Sequence, residues 1–279
     1  MAIRLIAIDI DGTLLDSHGD LPSANRNAVR NCLDSGVSIV LVTGRSYHHA
    51  RPVGAALSKQ IPLIVSNGAL MKRANGQTLR RQVLDIAITR EIIMLSRNHH
   101  KGAAVIFDRE GPRQYLYEEI DWKHPNRRHY YKINQQFMSQ HAPLEDALNE
   151  SPIQLSFTGG VQKIRQLSEF VQSLNISDKI SITLTEYEDR DFSLLDITTQ
   201  GCSKGSMLKY WCQNTGVNTD DVMAIGDNLN DRAMLELVGH PVVMGNAVPE
   251  LKKNGWPTTA SHDDGGLAQA IRDVLAVDL

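Results

Sequence analysis

Two aspartates, Asp9 and Asp11, stand one residue apart at the end of the apolar run Ile6-Ala7-Ile8, and Gly12-Thr13 follows at once. Carboxylates at the mouth of an apolar segment lose solvation unless a cation or a proton compensates. At positions i and i+2 of an extended strand they face the same way, and Gly12 lets the chain turn directly afterwards. With oxygen donors only and no neighbouring His or Cys, Mg²⁺ is the natural cation. One carboxylate of such a pair can act as nucleophile while the other, its pKa raised, handles protons. The structural alternative is a capped turn in which Asp11 accepts backbone N–H bonds.

Gly226-Asp227-Asn228-Leu229-Asn230-Asp231 supplies a second acid cluster after another apolar run, Val222 to Ile225. Asp231 lies one helical turn beyond Asp227, so both carboxylates approach one site if a helix starts here. Capping of that helix by Asp227 or Asn228 is the simpler alternative. Thr43-Gly44-Arg45 ends a third apolar run and opens a helical pattern, which offers a hydroxyl and backbone N–H groups to an anion. Ser203-Lys204-Gly205 puts an ammonium at the start of an amphipathic helix. A cation there opposes the helix dipole by a few tenths of a kcal/mol or more, a conflict that a bound phosphate removes. A solvated surface lysine is the alternative.

Apart from Lys204, at a helix start, these residues fall where short apolar runs end. Arg4 to Ile8, Val37 to Val42, Pro62 to Val65, Val222 to Ile225 and Pro241 to Met244 read as buried strands, because their apolar residues run on without polar alternation. Between them lie amphipathic helices. In Ala24 to Ser35, Ala28, Val29, Cys32 and Leu33 share a face, with Pro22 before and Gly36 after; in Lys204 to Gln213, Met207, Leu208, Trp211 and Cys212 do so, with Gly216 beyond. The pattern predicts an α/β fold, a doubly wound, Rossmann-like parallel sheet covered on both faces. Ligands of such sheets bind outside the carboxyl ends of the strands, so Asp9, Asp11, Thr43, Ser66, Asn67 and Asp227 are expected on one edge.

From about Asp85 to Arg190 the texture changes to alternating strand-like segments with two helical ones, Thr89 to His99 and Val161 to Leu174. An α+β domain over 86–190, inserted into a core of 1–85 and 191–279, is the expected organisation. The 279 residues suit two domains of about 100–200 residues each. A net charge of -3 gives no global attraction to nucleic acid or to anionic membranes, and the apolar runs fall far short of the roughly 20 residues of a membrane helix. Cys32, Cys202 and Cys212, odd in number and without metal-ligand spacing, predict reduced thiols in a cytoplasmic protein.

Taken in order, Asp-x-Asp-Gly-Thr, Thr-Gly-Arg, Lys and Gly-Asp-x-x-Asn-Asp resemble the haloacid dehalogenase (HAD) superfamily of Asp-nucleophile phosphohydrolases across nearly the whole chain. The long insertion between Thr43 and Lys204, with Ser66-Asn67-Gly68-Ala69 and Met244-Gly245-Asn246-Ala247, is similar to the Cof-type branch, whose α+β cap closes over the active site. Asp263-Asp264-Gly265-Gly266-Leu267 departs from that branch, where an aliphatic residue usually follows the first glycine. The resemblance implies that Asp9 attacks phosphorus to form an aspartyl phosphate. Asp11 would protonate the leaving oxygen and then deprotonate the hydrolytic water. Thr43 and Lys204, with the Asp11-Gly12 and Thr43-Gly44 segments and Asn230, would hold the phosphoryl group. Mg²⁺ would take the Asp9 carboxylate, the Asp11 backbone carbonyl and Asp227, with Asp231 a direct or indirect fourth partner.

The expected function is therefore a Mg²⁺-dependent phosphatase for a small phosphorylated metabolite, as a monomer or homodimer. A phosphomutase with the same phosphoenzyme is the enzymatic alternative. A phospho-receiver protein is the non-enzymatic one, although there the phosphorylated Asp ends a later strand, whereas the third run here ends in Ser66-Asn67. The basic and aromatic stretch Trp122 to Lys132 reads first as a solvated helix or loop with snorkelling side chains; its texture also suits an anionic or ring-bearing substrate, whereas nucleic acid is disfavoured in a chain that is acidic overall.

Overall fold

The computed structural model describes residues 3–109 and 111–276, which form two compact units: Met1–Arg80 with Ser203–Leu279, and Arg81–Cys202. In the first unit the chain lays down β1 (Leu5–Asp9), α1 (Ser23–Asp34), β2 (Ser38–Val42), α2 (Tyr47–Leu57), β3 (Pro62–Val65), β4 (Leu70–Arg73) and β5 (Thr78–Arg81). The second unit holds α3 (Ile86–Ser96), β6 (Ala103–Ile106), β7 (Tyr115–Tyr117), α4 (Pro125–Asn134), β8 (Met138–Gln140), β9 (Gln154–Gly159), α5 (Val161–Gln172), β10 (Ile180–Tyr187) and β11 (Phe192–Thr199). The chain then returns with α6 (Lys204–Thr215), β12 (Val222–Gly226), α7 (Arg232–Leu235), β13 (His240–Val243), α8 (Pro249–Lys252) and α9 (Gly266–Ala276).

The first sheet has the order β13-β12-β1-β2-β3-β4-β5. Its β13-β12-β1-β2-β3 portion is parallel, whereas β3 and β4 pair antiparallel. The expected parallel sheet is thus extended by β4 and β5, which follow the tight Ser66–Gly68 turn. Every residue of β1 is buried, as a central strand covered on both faces requires. Leu5, Ala7, Val40, Val42 and Ile64 pack with Met207, Leu208 and Cys212 of α6. The α1 face forms as its periodicity predicts, through Val29 and Cys32, and Gly216 ends α6 at φ 65°. Because β1 lies between β2 and β12, the direction of winding reverses there, and the crevice at the carboxyl ends is a natural ligand site.

The second unit is an α+β fold with sheet order β10-β11-β9-β6-β7-β8. Phe157, Leu155, Leu195 and Ile197 meet Ile164, Leu167 and Val171 of α5 in its core. Its borders differ from the expected 86–190. Phe192–Thr199 pairs antiparallel with both β9 and β10, so the last strand-like segment belongs to the inserted unit and not to the core. Within Trp122 to Lys132 the aromatic character is partly internal packing: the Trp122 ring lies 5.1 Å from Tyr117 and 4.5 Å from Tyr131. The side chains of Asn126, Arg127, His129 and Tyr130 lie outside the described residues. Among the described residues no helix is long and apolar enough to cross a membrane.

Candidate active site

The Lys204 ammonium is the centre of the site. Ser203 caps α6 by accepting from the Ser206 N–H, while Ser206 Oγ accepts from the Ser203 N–H, each at 3.0 Å. That reciprocal cap fixes the first turn of the helix and hence the root of Lys204. A second brace comes from Gly68, whose φ is +100° and where a Cβ would stand 2.1 Å from the Ser203 carbonyl oxygen. Lys204 is only 1% exposed, and its Nζ donates to Asp9 Oδ1 at 2.7 Å and to Asp231 Oδ1 at 2.6 Å. The surface-lysine alternative is excluded. The anions that answer the helix-dipole conflict are two carboxylates of the chain itself.

Asp231 ends a short turn, Leu229–Asp231, which Asn228 caps. Its Oδ2 accepts from the backbone N–H groups of Asp227 and Asn228, each at 3.0 Å. Three accepted hydrogen bonds leave this carboxylate little capacity for a further partner. It is fully buried. Asp227, by contrast, forms no ion pair among the described residues, and its carboxylate packs over the turn after β1. Gly12 makes that approach possible: its φ is +73°, and a Cβ there would lie 2.4 Å from Asp227 Oδ2.

Side-chain oxygens of Asp9, Asp227 and Asp231 lie within 4.8 Å of one another. Burial is the main force that raises the Asp9 pKa well above the ordinary carboxylate value, with Lys204 opposing and the other aspartates adding to it. Burial likewise lifts Asp227 to about 7, reinforced by Asp231 and opposed by Lys204. For Lys204, burial acts downward, but Asp231 and Asp9 outweigh it and hold the ammonium above its usual range.

Asp11 does not share this cluster as the i, i+2 spacing predicts. The strand ends at Asp9, and the chain bends through a tight turn over Ile10–Leu14, closed by a 3.0 Å bond from Leu15 N–H to the Ile10 carbonyl. The Asp11 carboxylate is 55% exposed and binds the Arg45 guanidinium. Arg45, the third residue of Thr-Gly-Arg, carries no role in the sequence reading; its only signal there is its place beside Thr43.

Thr43 is buried at the end of β2, and its Oγ1 accepts from the Arg45 N–H at 3.0 Å. The hydroxyl proton is left to donate. Gly44 lies against the Asn67 and Asn230 amides, which are joined by a 3.1 Å bond from Asn230 Nδ2 to Asn67 Oδ1. Ser66-Asn67-Gly68 thus supports both Gly44 and the start of α6.

Two further asparagines hold the turn after β1. Asn246 donates to the Gly12 carbonyl at 2.9 Å, and the buried Asn25 donates to the Leu14 carbonyl at 2.9 Å. Asn25 sits on an otherwise apolar helix face, and a polar residue there is the one signal that could have marked it. Cys202 is buried, its thiol raised to about 11 by burial, as a packing residue would be.

The chain matches the family model for haloacid dehalogenase-like hydrolases over residues 6–271. Among curated relatives, HMP-PP phosphatase of Serratia proteamaculans is 29% identical over 89% of this chain and 86% of its own. Pyridoxal phosphate phosphatase YbhA of Escherichia coli is 27% identical over 97% of this chain and 98% of its own. A haloacid dehalogenase-like hydrolase from Bacteroides thetaiotaomicron shares the fold, with a TM-score of 0.82 at 22% identity over 98% of this chain and 99% of that one. With two α/β units, a strand-end acid cluster and a family match that spans both, the chain belongs to the haloacid dehalogenase-like hydrolases.

Proposed function

We propose that the protein is a Mg²⁺-dependent phosphatase that hydrolyses a small phosphorylated metabolite through an aspartyl phosphate on Asp9. One observation carries the reading: a buried carboxylate, Asp9, is held by the Lys204 ammonium through one oxygen, beside a second carboxylate, Asp227, that has no ion pair among the described residues. The donor set fits a hard divalent cation, because it offers oxygens only and because burial disfavours the anionic forms of Asp9 and Asp227 until positive charge arrives. Asp9 and Asp227 would hold the ion. Asp231, its oxygens already engaged, would act by fixing Lys204 and the Asp227 backbone. Bound there, Mg²⁺ supplies charge neutralisation to the phosphoryl oxygens.

In this reading an Asp9 oxygen forms the bond to phosphorus as the bond to the leaving oxygen breaks, and Asp11 gives that oxygen its proton. Asp11 then takes a proton from water, whose oxygen attacks the phosphoaspartate, releasing inorganic phosphate and restoring Asp9. Lys204 has three N–H donors and uses two on Asp9 and Asp231, which leaves one for a phosphoryl oxygen. The Thr43 hydroxyl can donate to another, with Gly12, Gly44 and Asn230 shaping the seat. HMP-PP and pyridoxal phosphate, in the names of the two relatives, support a small phosphorylated metabolite as the substrate class. Three buried free cysteines support a cytoplasmic location.

Hydrolysis of p-nitrophenyl phosphate by purified protein, with and without Mg²⁺, tests the proposal. Activity should require Mg²⁺ and vanish in Asp9→Asn. Robust turnover by that variant would remove Asp9 as nucleophile, and turnover that survives exhaustive EDTA treatment would remove the metal. A panel of phosphorylated metabolites, scored by free phosphate, then separates hydrolysis from transfer to a sugar.

A further inference from the structure

Ser66 and Asn67, at the end of β3, hold a backbone conformation that L-residues rarely adopt. Their φ values are +50° and +53°, directly before Gly68 at +100°. Asparagine tolerates this left-handed region better than most residues, but a non-glycine residue stays there only where its surroundings force it to. Here the backbone is tied on both residues. The Ser66 N–H donates to the Arg45 carbonyl at 2.8 Å, and the Asn67 N–H donates to the Thr43 carbonyl at 3.2 Å. The turn is therefore anchored to the Thr43-Gly44-Arg45 segment.

These bonds set the buried Asn67 amide, and its Oδ1 accepts from Asn230 Nδ2 at 3.1 Å. A Cβ at Gly44 would stand 3.1 Å from Asn67 Oδ1 and 3.6 Å from Asn230 Nδ2, so the amide pair lies against the backbone that follows Thr43. Asn230 is half-buried, and the next residue, Asp231, holds the Lys204 ammonium. An amide nitrogen carries two hydrogens. Asn230 uses one on Asn67, and among the described residues the other has no hydrogen-bond partner. Half a turn of the Asn230 amide would set its Oδ1 against Asn67 Oδ1, two acceptors with no proton between them. Asn67 thus holds the nitrogen end of Asn230 in place. That end suits a phosphoryl oxygen, which only accepts.

We propose that Asn67 is a positioning residue of the phosphoryl seat: by accepting one Nδ2 hydrogen of Asn230, it holds the other ready for a phosphoryl oxygen. The left-handed turn at Ser66-Asn67 places that acceptor. The proposal rests on the phosphatase reading in taking Asn230 as a phosphoryl donor.

Asn67→Gly separates this role from a structural one. Glycine adopts the left-handed turn without strain, so the melting temperature should hold or rise. Loss of the acceptor should raise KM for p-nitrophenyl phosphate and the inhibition constant of inorganic phosphate about tenfold each, with a smaller fall in kcat. Asn230→Ala should raise both constants at least as far. Asn67→Gly/Asn230→Ala should be no worse than Asn230→Ala, because nothing is left for Asn67 to hold. Additive losses in the double variant, or wild-type constants in Asn67→Gly, would overturn the proposal. The phosphatase reading fails separately. Wild-type protein that binds inorganic phosphate in Mg²⁺ by calorimetry, yet turns over no p-nitrophenyl phosphate, would remove it, and the same four proteins compared by phosphate affinity would still decide the role of Asn67.

Discussion

The Arg45 guanidinium grips both oxygens of the Asp11 carboxylate, with Nε 2.8 Å from Oδ2 and Nη2 2.6 Å from Oδ1. Its backbone is pinned at both ends, since its N–H donates to Thr43 Oγ1 and its carbonyl accepts from the Ser66 N–H at 2.8 Å. An ion pair this exposed contributes about 1 kcal/mol or less to stability. Its consequence is orientation of Asp11 for the step in which the carboxylate takes a proton from water; to give a proton to the leaving oxygen, Asp11 must first leave the guanidinium. Arg45→Met should therefore lower kcat on p-nitrophenyl phosphate about 10- to 100-fold with little change in KM or melting temperature. Arg45→Lys should recover only part of the loss, because a point charge cannot reproduce the two-pronged contact. An unchanged kcat beside a lowered melting temperature would mark Arg45 as merely structural.

The strand-end motifs were legible because each is local: an apolar run, then the chemistry, with a glycine beside it. What pairs with what was not. Asp9 and Asp11 look equivalent by spacing, yet the turn over Ile10–Leu14 sends one carboxylate to Lys204 and the other to Arg45. Lys204 meets Asp231 only because β1, β12 and α6 converge, and no sequence period reports that convergence. The same reason hid the affiliation of Phe192–Thr199, whose partners β9 and β10 lie upstream of it, and the extension of the sheet by the antiparallel β4 and by β5 beyond it. Asn25 and Asn246 escaped because their work is to bond backbone carbonyls far away in the chain.

Removal of the Lys204 charge should expose how tightly the buried ions are coupled. Lys204→Met leaves Asp9 and Asp231 buried without their cation, a loss of about 3–5 kcal/mol. Adding Asp231→Asn removes one of the stranded charges, so the double variant should be more stable than Lys204→Met alone. Urea denaturation of the wild type, both single variants and the double variant gives the coupling energy directly. Additive effects would contradict the shared network.

Gly12→Ala should damage the metal site through sterics alone. At φ +73° a Cβ costs about 1–2 kcal/mol, and here it would also stand 2.4 Å from Asp227 Oδ2, so the carboxylate must move. Melting temperature should fall, and the Mg²⁺ concentration for half-maximal activity should rise about tenfold. If that concentration is unchanged, Asp227 has no part in holding the ion.

Stability of the metal-free protein should decline with rising pH, the reverse of the usual carboxylate behaviour. Asp227 titrates at about 7 in the fold against an ordinary value of 3.8. Between those values the folded chain keeps a proton that the unfolded chain has lost, so each pH unit weakens the fold. The loss spans about pH 4 to 7 and amounts to about 3–5 kcal/mol if Asp227 acts alone. Asp9, raised by burial as well, adds to it with the same sign. Mg²⁺ binds the deprotonated carboxylates, so it should raise the melting temperature strongly at pH 8 and little at pH 5. Asp227→Asn has no proton to lose at that position, and it should flatten the metal-free pH profile while weakening the response to Mg²⁺. Thermal unfolding in EDTA and in Mg²⁺ across this range checks both slopes. A metal-free protein whose stability instead rises from pH 5 to 8 would contradict the buried acid cluster as its dominant titrating element.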